Sequence, residues 1–198
     1  CAAFLTKGDI FVKGAEAKNL EAFLKKLKEM GGGYEITKKG IRFFFKNELQ
    51  ATQVRTAPYP GFMSDWQAVW AALMTQAEGV STIHETVFEN RFLYLPLLKK
   101  MGASFELFNP KQANPEKIYN FNLEDDRLAY HHAVKIFGPP PLRGAELEIG
   151  DVRAGATAIL AALAAQGRSD LSGVEHIDRG YENLDGRVRN LGAKIKRV

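Results

Sequence analysis

The chain has 198 residues, 45% hydrophobic and 11% aromatic, which is enough to bury a substantial core and excludes a disordered polypeptide. Its formal charge of +4 comes from lysines and arginines spread along the chain rather than from one basic block, a pattern that suits an anionic ligand and argues against nucleic acid. The single cysteine, Cys1, excludes an internal disulfide and fits a reducing compartment, no apolar run reaches the roughly 18 residues of a membrane span, and the first residues do not make a signal peptide, so a soluble, cytoplasmic protein is expected.

In chain order, CAAFLTKGDI reads as the end of an amphipathic helix that runs into a glycine stop at Gly8, followed by a strand in DIFVKG. LKKLKEM predicts a helix closed by Gly31, and YEITKKGIRFFF predicts two strands paired through a Lys-Gly turn. SDWQAVWAALMTQAEG predicts a helix of about four turns, with Ser64 or Asp65 as its N-cap and Gly79 as its stop, before the strand VSTIHE. LPLLKKM then leads through Gly102 into the strand ASFEL. GDVRAGATAILAALAAQG predicts a helix ending at Gly167, whose part GATAILAALAAQG is apolar nearly all round and so reads as buried, with the strand SDLSGVE after it. RVRNLG and AKIKRV predict a last helix, a cap at Gly192 and a last strand.

This series is a repeat. Three segments, residues 24–36, 95–107 and 186–198, share one plan of helix end, Met-Gly or Leu-Gly, and alternating strand. Gly8, Gly79 and Gly167 precede the cap glycines Gly31, Gly102 and Gly192 by 23, 23 and 25 residues. The unit is therefore helix, glycine, strand, loop, helix, glycine, strand, and three such units predict an α/β fold of pseudo-three-fold symmetry with helices inside and sheets outside. The whole chain, 1–198, is expected to be one domain. Only seven residues precede Gly8, whereas the sister helices are complete, so the chain is expected to be cut within its first repeat and its first sheet to lack a strand. Residues 108–137 break the repeat: their prolines and asparagines predict an inserted surface excursion, lying away from the site discussed below. His131 and His132 are adjacent there, and neighbouring residues rarely face one metal, so no metal site is expected.

Chemistry is expected where the repeats differ, at the loops leaving the strands. With Glu85 and Glu175 aligned, these loops read ETVFENRF and EHIDRGYE, each with an arginine beside an acid just before a helix, where free backbone N–H groups favour anions. Helix starts add Asp65 in FMSDWQ and Asp151 and Arg153 in GDVRAG. Taken singly, these residues are accounted for by ordinary N-caps and solvated arginines. Together, Arg91, Arg153 and Arg179 at equivalent edges of a pseudo-symmetric fold predict a pocket for a phosphorylated or carboxylated ligand, because guanidinium groups bind both bidentately.

RTAPYPGFMSDWQA, AEGVSTIHETVFENRF, DVRAGAT and HIDRGYENL resemble the enolpyruvyl transferases, and among them the group acting on UDP-N-acetylglucosamine, since the sister 5-enolpyruvylshikimate-3-phosphate synthases lack ETVFENR and HIDRGYE. The resemblance covers Cys1 to Val198 apart from the excursion. It implies a protein of two domains, each built of three βαβαββ units, of which this chain is the C-terminal one. Phosphoenolpyruvate and UDP-N-acetylglucosamine would meet between the two domains, without a cofactor and without a metal. The sugar 3-hydroxyl would then attack C2 of the enolpyruvyl group, form a tetrahedral intermediate and expel phosphate, opening peptidoglycan synthesis.

The resemblance assigns Asp65 to the sugar hydroxyl as candidate general base, and a carboxylate of ordinary pKa near 4 needs close placement for that task. It assigns the backbone of Val87 to the sugar nucleotide, Arg91 to the closed state, and Arg153 and Arg179 to the enolpyruvyl substrate. Two positions depart from the family pattern: Met63 and Ser64 stand where proline and threonine are usual. The mobile loop with its cysteine or aspartate, and the lysine and arginine that complete the anion site, would belong to the missing N-terminal domain; Cys1 does not match that cysteine. The isolated chain is thus expected to be catalytically incompetent. A non-catalytic module binding a sugar nucleotide or another anion is the alternative.

Overall fold

A helix stop needs a residue that can enter the left-handed region, and the computed structural model, which describes residues 1–198, uses glycine for this in all three units. The first unit starts with α1 (Ala2–Leu5), β1 (Asp9–Lys13) and α2 (Glu21–Glu29), then the hairpin β2 (Gly33–Thr37) and β3 (Gly40–Phe44). Next come β4 (Gln53–Arg55), α3 (Ser64–Met74), β5 (Gly79–His84), α4 (Leu95–Lys100), β6 (Ser104–Phe108) and β7 (Ala133–Gly138). The third unit holds β8 (Glu146–Glu148), α5 (Val152–Ala164), β9 (Asp170–Ser172), α6 (Glu175–Asp178) and α7 (Leu184–Asn190). Gly31, Gly102 and Gly192 have φ of 89°, 95° and 99°, as the repeat requires. Gly8 departs from it: Lys7 takes the left-handed conformation after α1 instead, with φ of 51°.

Three sheets result, with strand orders β1-β3-β2, β4-β5-β7-β6 and β8-β9. The first is antiparallel, the pair β8 and β9 is parallel, and in the second β4 runs parallel to β5 while β7 is antiparallel to both its neighbours. Register places Ile41 between Val12 and Ile36 on one face of the first sheet, where Ile41 is fully buried. Arg42, on the opposite face, bridges Asp9 and Glu35 across the strands. The first sheet has three strands and is smaller than the second, but the third, with two, is smaller still.

Helices fill the interior as the sequence predicts. In α3, Trp70, Ala71, Ala72, Leu73 and Met74 are wholly buried, and Ala158 and Ala161 of α5 are buried with them in one core of 29 residues. Small side chains let α3 and α5 approach closely, while Phe23 and Phe62 each pack edge to face on Trp66 and Trp70, so that Phe23 ties α2 to α3. No helix is long and apolar enough to cross a membrane.

Three expectations need correction. The excursion ends at 132 rather than 137, because Ala133 to Gly138 form β7, a central strand whose Ala133, Val134 and Ile136 are buried while Lys135 points outward. Nor does the excursion lie apart from the candidate site. The backbone N–H of Glu85 donates to the His132 carbonyl at 2.7 Å, and that of Asn120 donates to the Thr86 carbonyl at 2.7 Å, so it abuts the loop after β5. His132 is held by Asp126 at 3.0 Å and stacks among Tyr119 and Phe121. Finally, residues 193–198 pair with no strand.

Candidate active site

Helix α3 begins without a side-chain cap. Met63 occupies the N-cap position in an extended conformation, so Ser64 and Asp65 fall in the first turn and their side chains are released for other partners. Ser64 turns inward and donates through Oγ to Glu85 Oε2 at 2.8 Å. Asp65 turns outward, with 65% of its side chain exposed. The expected N-cap role of these two residues is thereby replaced by contacts with Glu85 and with arginine side chains.

Glu85 follows β5 directly and is completely buried. Its Oε1 accepts the backbone N–H groups of Val87 at 2.7 Å and Phe88 at 3.0 Å, and its Oε2 accepts Gln67 Nε2 as well as Ser64. The loop ETVFENR is thus folded around its own first carboxylate. Thr86 secures the neighbouring backbone, its N–H donating to Thr56 Oγ1 at 2.8 Å and its hydroxyl to the Thr56 carbonyl at 2.6 Å.

Arg91, at the far end of that loop, points back toward α3. Its Nε donates to Ser64 Oγ at 3.1 Å, its Nη2 reaches Asp65 Oδ1 at 3.3 Å, and its guanidinium plane lies 3.8 Å from the Phe88 ring centroid. Desolvation, and next the nearby charge of Arg153, hold its pKa below the usual arginine value. Arg153 arrives from α5, whose N-terminus is capped by Asp151 Oδ1, accepting from the backbone N–H groups of Arg153 at 2.8 Å and Ala154 at 3.1 Å. From this first turn Arg153 donates to Asp65 Oδ1 through Nε at 2.8 Å and Nη2 at 2.7 Å.

Two guanidinium groups from different repeats therefore converge on one carboxylate oxygen. Asp65 Oδ2 makes no hydrogen bond within the chain, leaving it open to a ligand hydroxyl. Of the residues singled out in the sequence, Asp65, Arg91 and Arg153 meet directly, while Val87 lies in the loop between Glu85 and Arg91 with its backbone N–H bound by Glu85. Arg179 is not brought into this cluster: it ends α6, is exposed, and forms neither a hydrogen bond nor an ion pair. Its turn is nonetheless close. Gly180 lies against Val152, where a Cβ would come within 2.5 Å of the Val152 side chain, and Tyr181 is near enough for Asp65 to reinforce the upward pKa shift that burial gives its phenol.

Sequence reading missed Glu85, Ser64 and Tyr181 as site residues. Glu85 served only as an alignment point, yet an acid placed directly after a strand, at the start of a loop, is a signal for a carboxylate that turns back on the backbone N–H groups two and three residues on.

Comparison with known proteins identifies the family and the fold. The family model for EPSP synthase (3-phosphoshikimate 1-carboxyvinyltransferase) matches residues 1–187. Over 198 residues the chain is 43% identical to the UDP-N-acetylglucosamine 1-carboxyvinyltransferase of Protochlamydia amoebophila, covering all of this chain and 41% of that protein. It is 43% identical over 196 residues to the protein of the same name from Chlamydia abortus, covering 98% of this chain and 43% of that one. Among solved structures, the enolpyruvyl transferase NikO from Streptomyces tendae superposes with a TM-score of 0.81 at 26% identity, over 99% of this chain and 42% of that one. EPSP synthase from Acinetobacter baumannii, 16% identical with a TM-score of 0.66, shares the fold over 100% of this chain and 41% of its own. The chain thus spans about two fifths of the length of the relatives it matches.

Proposed function

Because the chain belongs to the EPSP synthase (3-phosphoshikimate 1-carboxyvinyltransferase) family, we propose that it supplies half of an active site that transfers the enolpyruvyl group of phosphoenolpyruvate to the 3-hydroxyl of UDP-N-acetylglucosamine. The observation that carries this reading is the pairing of Asp65 with Arg91 and Arg153 from separate repeats, one carboxylate oxygen being bound and the other open. The names of the relatives at 39–43% identity favour the sugar nucleotide over shikimate phosphate. The reaction would open peptidoglycan synthesis in the cytoplasm, and the other half of the site would come from an N-terminal domain of the same polypeptide.

Each residue has a task in this scheme. Arg153 fixes the rotamer of Asp65 through two bonds to Oδ1, so that Oδ2 faces the sugar hydroxyl and takes its proton as the oxygen attacks C2. In that step the methylene carbon of phosphoenolpyruvate takes a proton from an acid of the other half of the site, and it returns one to that group when the C2–O bond to phosphate breaks, phosphate leaves with the bonding electrons and the double bond is restored. Arg179, whose donors are unpaired within the chain, holds the phosphate or carboxylate of phosphoenolpyruvate. Arg91 and Arg153 then stabilise negative charge as it moves toward the leaving phosphate. Val87 presents its backbone to the sugar nucleotide.

The test is kinetic, in the full-length polypeptide that contains this chain. Asp65→Asn is expected to lower kcat by about a hundredfold or more, the scale of a lost general base. Arg179→Ala is expected to raise KM for phosphoenolpyruvate by about tenfold or more, the scale of a lost charge-assisted contact. The isolated chain should bind phosphoenolpyruvate no tighter than about millimolar by calorimetry, because exposed charge pairs contribute at most about 1 kcal/mol each. Full activity in both variants, or no enolpyruvyl transfer by the full-length protein, overturns the assignment.

A further inference from the structure

Burying a carboxylate away from any cationic partner is costly, and a fold can usually dispense with one. Glu85 is buried completely, and its four partners are all hydrogen-bond donors: Ser64 Oγ, Gln67 Nε2 and the backbone N–H groups of Val87 and Phe88. Those partners divide into two arms. Oε1 shapes the turn that carries Val87, while Oε2 binds Ser64, whose hydroxyl oxygen in turn accepts Arg91 Nε at 3.1 Å. Through Arg91 the second arm reaches Asp65.

We infer that Glu85 is a positioning residue that couples the sugar-nucleotide contact at Val87 to the reacting pair Asp65 and Arg91; this rests on the function proposed above. A glutamine has nearly the same shape but only one acceptor oxygen. Its NH2 would face either the two backbone N–H groups, which cannot turn away, or Ser64 and Gln67, which must turn to accept from it, so the side chain shifts and both arms are disturbed. Ser64 relays rather than originates the constraint. With its Oγ–H given to Glu85, its lone pairs are directed at Arg91, which fixes the guanidinium without using either Asp65 oxygen.

The full-length polypeptide that contains this chain is the material for the test, with Glu85→Gln and Ser64→Ala each compared with the parent. Ser64→Ala removes only the link from Oε2 to Arg91, with Gln67 still holding Glu85 in place, so kcat should fall by about fivefold or more while KM for UDP-N-acetylglucosamine stays within about twofold. Glu85→Gln should move both parameters by about tenfold or more in the unfavourable direction. Loss confined to one parameter in a folded Glu85→Gln protein, or no loss at all, overturns the coupling. Should Glu85→Gln fail to fold, Ser64→Ala decides, and an unchanged kcat sinks the relay. A parent without enolpyruvyl transfer defeats the proposed function instead. In that case hydrogen exchange at Arg91 Nε, followed by nitrogen-15 NMR, decides the positioning role: exchange should be slow in the parent and faster by about tenfold in Ser64→Ala. Equal rates overturn it.

Discussion

Asp65 and Glu85 are both carboxylates beside the start of α3, and their surroundings divide the work between them. Glu85 is enclosed by four donors and has no oxygen to spare, so it organises; Asp65 is open to solvent with one free oxygen, so it can meet a ligand. The second environment that bears on the loop is that of His84, the last residue of β5. Burial first, then the charges of Arg55 and His132, hold its pKa down at about 4, while Tyr119 Oη lies 3.3 Å from its Nε2. In the unfolded chain the same imidazole titrates near 6.5. Between these values the unfolded state binds the extra proton, so this contribution is fully present above about 6.5 and is lost as pH falls toward about 4. The group is only half buried, so the loss should be about 1 kcal/mol rather than the full value of the shift. Urea unfolding at pH 7 and pH 5 is expected to show it, and His84→Gln should reduce that pH dependence; an unchanged dependence rejects the account.

Elements in this chain are defined by their ends. Cap glycines were legible because a glycine just past an apolar helix has one steric advantage, access to positive φ, and that advantage acts locally. The start of α3 was not legible in the same way. Serine and aspartate favour the N-cap intrinsically, but Glu85, 21 residues beyond Ser64, offers the hydroxyl a buried partner and shifts the cap to Met63. The strand β7 was missed for a related reason: its alternation in AVKIFG is short and follows an irregular run, and only its place between β5 and β6 makes it a strand. The link between β9 and α6 tests how far such ends control the site. Gly173 has φ of 70°, and a Cβ there would come within 2.3 Å of the Ile149 carbonyl oxygen. Gly173→Ala is therefore strained in both backbone and contact, and should cost about 2–4 kcal/mol. Because Arg179 follows α6 directly, on the function proposed above phosphoenolpyruvate affinity in the full-length polypeptide should fall with it. Calorimetric melting that shows no loss of stability contradicts this.

At the scale of the molecule, the repeats place their helices together and their sheets outward, so that the N-terminal turns of α3 and α5 come side by side and Arg153 can reach Asp65 across 88 positions of sequence. Trp70 anchors that arrangement. It is wholly buried, edge to face with Phe23 and Phe62. Trp70→Ala is expected to cost about 3–5 kcal/mol, through lost burial and the cavity left behind. A urea midpoint within error of the parent rejects its anchoring role. The sequence by itself determined the three-fold repeat, the α/β class and every helix stop but the one at Gly8, because apolar period and glycine conformation act over a few neighbouring residues. It also carried the resemblance on which Asp65, Val87, Arg91, Arg153 and Arg179 were assigned. Only the tertiary structure decided which of these touch: Arg91 and Arg153 converge on Asp65, and Arg179 stands apart. It also decided that the segment after β6 returns as a central strand and abuts the loop holding Val87, and that a buried glutamate organises that loop. Hydrogen bonds between distant residues are set by how helices and sheets pack, and that packing depends on the whole core rather than on any stretch that can be read along the chain.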